Sequence, residues 1–145
     1  MTKQLRGRRS KPKIFLSYAQ EDQPVAARIE EILTKATRDS IVVGPPPGAG
    51  EVLGSGVRRA FGDSDLYVLV LTSHALDSDR AQVELGAAWA LEKPTLVVVS
   101  DVEPDLQVPL LGELEVARVS IDELARPGVI EDILHRIGRD RDRIA

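Results

Sequence analysis

The sequence predicts an open α/β fold with one parallel, five-stranded sheet and helices on both faces. Three observations carry that prediction. Short β-branched runs alternate with helical stretches along the 145 residues. The two strongest runs, at 66–71 and 95–99, are apolar throughout. Strands without polar alternation are covered on both faces, as in a parallel sheet flanked by helices. Finally, no repeat or second boundary interrupts the chain, and its length suits a single domain with a sizeable core.

The elements follow in order. Ile14-Phe15-Leu16-Ser17-Tyr18 is the first strand. Asp22 offers an N-cap and Pro24 suits a first helical turn. Val25, Ile29, Ile32, Leu33 and Ala36 then make one helical stripe. After the break at Arg38-Asp39, Ser40-Ile41-Val42-Val43 is a second strand, and residues 44–56 are a Gly/Pro-rich loop. A short helix near 55–63 leads to the third strand at 66–71. A helix from about Ser78 to Glu92 ends at Lys93-Pro94, before the fourth strand at 95–99. An acidic, proline-punctuated loop covers 101–113, a weaker strand lies near 115–119, and a last helix spans roughly 127–140. Open sheets of this kind bind ligands beyond the carboxyl ends of their strands. That directs attention to Ser17-Tyr18-Ala19-Gln20, the loop after the second strand, Thr72-Ser73-His74 and Ser100-Asp101.

Composition narrows the chemistry. There are no cysteines, which removes disulfides, thiolate metal sites and cysteine nucleophiles together. The two histidines, His74 and His135, are too few for a His-rich metal centre, so no metal is expected. No apolar run approaches the roughly 20 residues of a spanning helix, and residues 1–13 lack the apolar centre of a signal peptide. A cytoplasmic setting is the expectation. Residues 1–12 are expected to form a disordered basic arm, and 13–142 the folded domain. Lys3, Arg6, Arg8, Arg9, Lys11 and Lys13 stand at the start of the chain without an acid, whereas the remainder is strongly acidic. An acidic body is not a nucleic-acid face, so any such contact is confined to the arm.

The helix at 78–92 holds the residue of greatest interest. On a helical wheel, Ala81, Leu85, Ala88 and Leu91 share one side, and Val83, Ala87 and Ala90 another. A helix apolar nearly all round is deeply buried or covered by a partner. Glu84 falls between Ala88 and Leu91, and a carboxylate in an apolar sector is costly unless a cleft solvates it or a cation pairs with it. Glu84 therefore either faces a ligand crevice, or reaches water or a cation such as Arg80 at the sheet edge. His74, at the end of the third strand, is either a ligand contact or an ordinary loop residue. Trp89 is expected to pack, and His135 to be structural.

Several stretches resemble one family in family order. KIFLSYAQED (13–22) resembles the opening of Toll/interleukin-receptor (TIR) domains, whose first strand ends in a Phe-x-Ser-Tyr-type sequence followed by acids. Asp63-Ser64-Asp65 before a strand ending Leu71-Thr72-Ser73 resembles their third strand. Ser78 followed by Glu84-Leu85-Gly86-x-Ala88 resembles the helix that carries the catalytic glutamate of enzymatic members, and Lys93-Pro94 with Val97-Val98-Val99 the next strand. Arg80 stands where the family commonly has Trp. The resemblance implies a flavodoxin-like sheet and cleavage of the nicotinamide–ribose bond of NAD, which is a substrate and not a cofactor. It implies Glu84 as the catalytic residue, with Ser17, Tyr18 and Ser73 beside the substrate. His74 and Arg80 are further substrate-binding candidates from their positions. It also implies self-association, often with a neighbouring subunit completing the site.

Two other readings stand beside this one. The first is a non-catalytic TIR scaffold acting by homotypic assembly, with Gly48, Gly50 and Leu53 of the glycine-rich loop as the contact element. The second is a nucleoside deoxyribosyltransferase-like enzyme, which shares the architecture and uses a Glu nucleophile. A dinucleotide fingerprint is not supported, because Gly48-x-Gly50 and Gly54-x-Gly56 do not complete G-x-G-x-x-G and three prolines precede them.

Overall fold

All five expected strands form, and they lie parallel in one sheet, in the order 2-1-3-4-5 counted along the chain. A computed structural model describes residues 13–37, 41–43, 59 and 61–144. The arm at 1–12 and the whole 44–56 loop, with Gly48, Gly50 and Leu53, lie outside the described residues. So does most of the helix expected at 55–63, of which residues 59 and 61–63 are helical.

The strands are β1 (Lys13–Ser17), β2 (Ile41–Val43), β3 (Leu66–Leu71), β4 (Thr95–Val99) and β5 (Glu115–Ser120). The helices are α1 (Gln23–Thr37), α2 (Ser73–Leu76), α3 (Asp79–Ala90), α4 (Ile121–Leu124) and α5 (Val129–Ile144). Short 3-10 turns occupy Gln20–Asp22 and Gly112–Leu114. Side chains alternate across a strand, and the core divides accordingly. Ile14 and Leu16, with Val68, Val70, Leu96 and Val98, pack under α1 and α5 through Ile29, Leu33, Ile130 and Ile133. Phe15, Tyr67, Leu69, Leu71 and Val97 point the other way and meet Leu85 and Ala88 of α3. Every residue of β3 is buried, as its unbroken apolar run required.

Several local expectations are corrected. Asp22 does not cap α1. It sits in the preceding 3-10 turn with its side chain buried, and its carboxylate accepts a hydrogen bond from Thr72. Of the two readings of helix α3, deep burial does not hold: Ala81, Glu84, Leu85 and Ala88 are buried, but Val83 and Trp89, and Leu91 just past its end, are exposed. Trp89 therefore does not pack into the core, and Leu91 does not share the buried side. A wheel that is apolar on most of its arc cannot tell which part the sheet covers. His135 is also exposed. Helices α2 and α4, four residues each, are too short to declare a period. Their starts were nonetheless encoded, since Thr72 caps Ala75 and Ser120 forms a capping box with Glu123.

Candidate functional site

The strand order fixes where a site belongs. From β1 the chain moves outward to β2, then returns across β1 to β3, so the order reverses between β1 and β3. Ligands of open α/β sheets bind at such a reversal, beyond the carboxyl ends of the strands. Ser17 is the last residue of β1, paired in register with Leu69. Its side chain follows Phe15 onto the face covered by α3.

Glu84 meets it there. The helix begins on Ser78, whose hydroxyl accepts from the Ala81 amide at 3.1 Å. That start sets the angle of every later residue and turns Glu84 toward the sheet with Ala81, Leu85 and Ala88. Its side chain is 0% exposed. Ser17 Oγ donates to Glu84 Oε1 at 2.5 Å, a short, charge-assisted contact. Glu84 Oε2 is buried and has no hydrogen-bond partner. Burial, which penalises the charged form, pushes the Glu84 carboxyl up to about 7; the Ser17 bond and the Arg80 charge pull the other way.

Arg80 belongs to the same group. Its Nη2 donates to the Tyr18 carbonyl at 2.7 Å, and its guanidinium stands 5.8 Å from the centre of the Tyr18 ring. The Glu84 carboxyl is thus held by Ser17, while the hydrogen bond and ring contact of Arg80 go to Tyr18. Its Nε is buried without a partner. Arg80 helps the carboxyl ionise through its charge, and it is not locked into an internal ion pair with it.

Of the residues expected at the site, Ser17, Tyr18, Arg80 and Glu84 come together. Ser73 and His74 do not join them. Both are exposed at the start of α2, and Ser73 is tied to Asp101, which accepts from its backbone N–H at 2.9 Å and its hydroxyl at 3.2 Å. Asp101 has φ of 58°, a left-handed conformation that Asp tolerates better than most residues. Thr72, beside them, is buried and serves twice: it donates to Asp22 and accepts from the Ala75 amide.

Tyr67 is the residue that sequence reasoning missed. It lies on β3 on the same face as Ser17, packs against Phe15 and Phe61, and has a buried hydroxyl with no hydrogen-bond partner. The signal was available: it is the one polar-tipped side chain in Leu-Tyr-Val-Leu-Val-Leu. A buried Tyr ordinarily finds a partner for its O–H. Among the described residues, the three buried side-chain polar atoms without a partner are Tyr67 Oη, Arg80 Nε and Glu84 Oε2. All three belong to residues grouped around the Ser17–Glu84 contact.

An orphaned acceptor, an orphaned guanidinium N–H and an orphaned hydroxyl form a donor-and-acceptor set suited to a polar ligand. Among the described residues, no group of three His, Cys, Asp or Glu is placed to hold a metal ion. No helix among them is long and apolar enough to cross a membrane. No curated protein matches the sequence. A family model described as TIR domain matches residues 14–128, most of the chain and every strand of the sheet. With its parallel 2-1-3-4-5 sheet, the chain belongs to the TIR domain family.

Proposed function

We propose that this TIR domain cleaves the nicotinamide–ribose bond of NAD, with Glu84 as the carboxylate at the reacting sugar. One observation supports this most. Glu84 lies at the carboxyl end of β1 with Oε1 held by Ser17 and Oε2 left without a partner. An ionised carboxylate only accepts hydrogen bonds. Its free oxygen would accept from ribose hydroxyls and stabilise the positive charge that grows on the sugar. Nicotinamide departs with the electron pair of the C1′–N bond and leaves as a neutral ring, so it needs little help from an acid. The oxocarbenium-like sugar resembles that of glycoside hydrolysis, and water then closes it to ADP-ribose with release of a proton. Tyr18 and Arg80, whose guanidinium lies over the Tyr18 ring, would contact the nicotinamide or phosphate portion of the substrate.

Because the carboxyl is fully buried, this reading requires the cover to open or rearrange before substrate reaches Oε2. Assembly with a second copy is the event proposed to do it, as self-association is general among TIR domains. The activity would serve a defence or virulence response in the cytoplasm. A non-catalytic scaffold is the second reading, favoured by the exposure of Val83 (45%), Trp89 (55%) and Leu91 (55%) on or beside α3. Large apolar side chains left in water can anchor a contact surface. No observation favours the deoxyribosyltransferase alternative.

The test is nicotinamide release measured at low and high protein concentration, with Glu84→Ala as control. Turnover that rises faster than protein concentration and vanishes in the variant is the expected result. Assembly without any nicotinamide release would reject catalysis and leave the scaffold.

A further inference from the structure

We propose that Arg80 makes the site select a phosphorylated sugar. Its guanidinium takes the 5′-phosphate of the ribose whose C1′ faces Glu84, so nicotinamide nucleotides are substrates and the unphosphorylated nucleoside is not. The inference deepens the proposed function, since it rests on Glu84 as the carboxylate at the reacting sugar.

Two neighbouring residues of the chain hold two residues one helical turn apart. Ser17 donates to Glu84 Oε1, and the Tyr18 carbonyl accepts from Arg80 Nη2. Arg80 and Glu84 stand four positions apart on α3, a spacing that sets side chains beside each other, with about 5–6 Å between Cβ atoms. A ribose whose hydroxyls meet Glu84 carries its 5′-phosphate at a separation of the same order. The guanidinium there is an unpaired cation. Among the described residues no carboxylate lies within ion-pair distance of it. Its hydrogen bond goes to the Tyr18 carbonyl, and Nε is buried with no partner. Arg118, equally half-buried, shows what a purely structural arginine looks like. Its Nε and Nη2 donate to Glu115, and its Nη1 to the carbonyls of Pro104 and Leu106. Arg80 lacks that saturation, and a planar fork with free N–H groups matches phosphate oxygens. Tyr18 steadies the fork through its carbonyl and through its ring, whose centre is 5.8 Å from the guanidinium. Arg80 is also the second residue of α3, where the helix start adds positive potential; Asp79 beside it is exposed. Charge decides which part of the substrate Arg80 meets. The pyridine ring of NAD is positive until its bond to ribose breaks, so a guanidinium against it repels, whereas a phosphate is attracted. A cation next to both anions also offsets the repulsion between the phosphate and the Glu84 carboxylate.

The experiment is equilibrium dialysis of the concentrated full chain carrying Glu84→Gln, in which no turnover disturbs binding. The ligands are radiolabelled nicotinamide mononucleotide and nicotinamide riboside. The mononucleotide should bind about tenfold more tightly than the riboside, the scale of a hydrogen bond to a charged group. Adding Arg80→Gln, which can still donate to the Tyr18 carbonyl but carries no charge, should remove that preference and leave riboside binding unchanged. Arg80→Lys, a point charge without the fork, should keep part of it. Equal or absent binding of the two ligands with Arg80 present, or an undiminished preference in folded Arg80→Gln, would overturn the proposal. So would inorganic phosphate displacing the mononucleotide as strongly as unlabelled mononucleotide does, because the sugar would then contribute nothing. Should Arg80→Gln fail to fold, Arg80→Lys carries the test, and a preference as large as that with Arg80 refutes the idea. Binding is read without reaction, so absent nicotinamide release from wild type would count against the proposed chemistry alone. Release from the riboside as readily as from the mononucleotide would count against this inference alone.

Discussion

At the residue scale, Glu84 is held in a state that costs the fold something. Its carboxyl titrates near 7 against an ordinary 4.5. A raised carboxyl contributes stability that is fully present below 4.5 and is lost as pH rises through about 7. The loss amounts to about 3 kcal/mol once the group is fully ionised. Urea unfolding of Glu84→Gln should therefore show a gain over wild type at pH 8 that disappears at pH 4. A variant less stable than wild type at pH 8 would contradict the burial argument. Thr72 makes the opposite case, a polar group whose bonds are all used. Thr72→Val removes the donor to buried Asp22 and the cap of α2 together. It should lower unfolding stability by about 2–3 kcal/mol, with Thr72→Ser retaining most of it. Glu84 was legible in the sequence because a lone carboxylate on an apolar arc is conspicuous. Asp22 was misread, since an acid ahead of a helix signals a cap whether or not its side chain turns to the next strand. Tyr67 was passed over because its ring suits a buried strand, and only coordinates show that its hydroxyl lacks a partner.

At the scale of elements, β3 and β4 were legible for a plain reason: both faces are covered, so no polar residue is tolerated. Helix α3 was legible as a helix but not in its orientation. Its buried side is Ala81, Glu84, Leu85 and Ala88, and its large apolar residues elsewhere remain in water. The two sides should respond differently to truncation. Leu85→Ala removes a side chain 2% exposed and should cost about 2–5 kcal/mol by the cavity it leaves. Leu91→Ala, just past the helix, should stay within about 0.5 kcal/mol. Equal losses in urea titrations of the two variants would show that α3 is rotated from the position described. The loop before β5 has its own anchor. Arg118 pairs with Glu115 at 2.8 Å and donates to the carbonyls of Pro104 and Leu106. That is the bidentate geometry that lysine cannot reproduce.

At the scale of the molecule, the sheet separates two packed layers, and the site lies on the layer with the aromatic cluster. The strand order puts Ser17 at the reversal between β1 and β3, and the cap on Ser78 turns Glu84 to meet it, so the fold and the candidate site share one origin. Five βα units in this length were enough to foresee the architecture. The partnerships of Ser17 and Arg80 were not foreseeable, because they join residues 67 and 62 positions away along the chain. Trp89, at 55% exposure, should emit in the monomer almost as the unfolded chain does, and a blue shift on concentrating the protein would report that α3 becomes covered. The most direct test of the account is nicotinamide release by concentrated wild type and Glu84→Gln, side by side from pH 5 to pH 9. Wild-type turnover should climb with pH as the carboxyl ionises, while the folded variant releases none. Turnover by Glu84→Gln equal to that of wild type would contradict it.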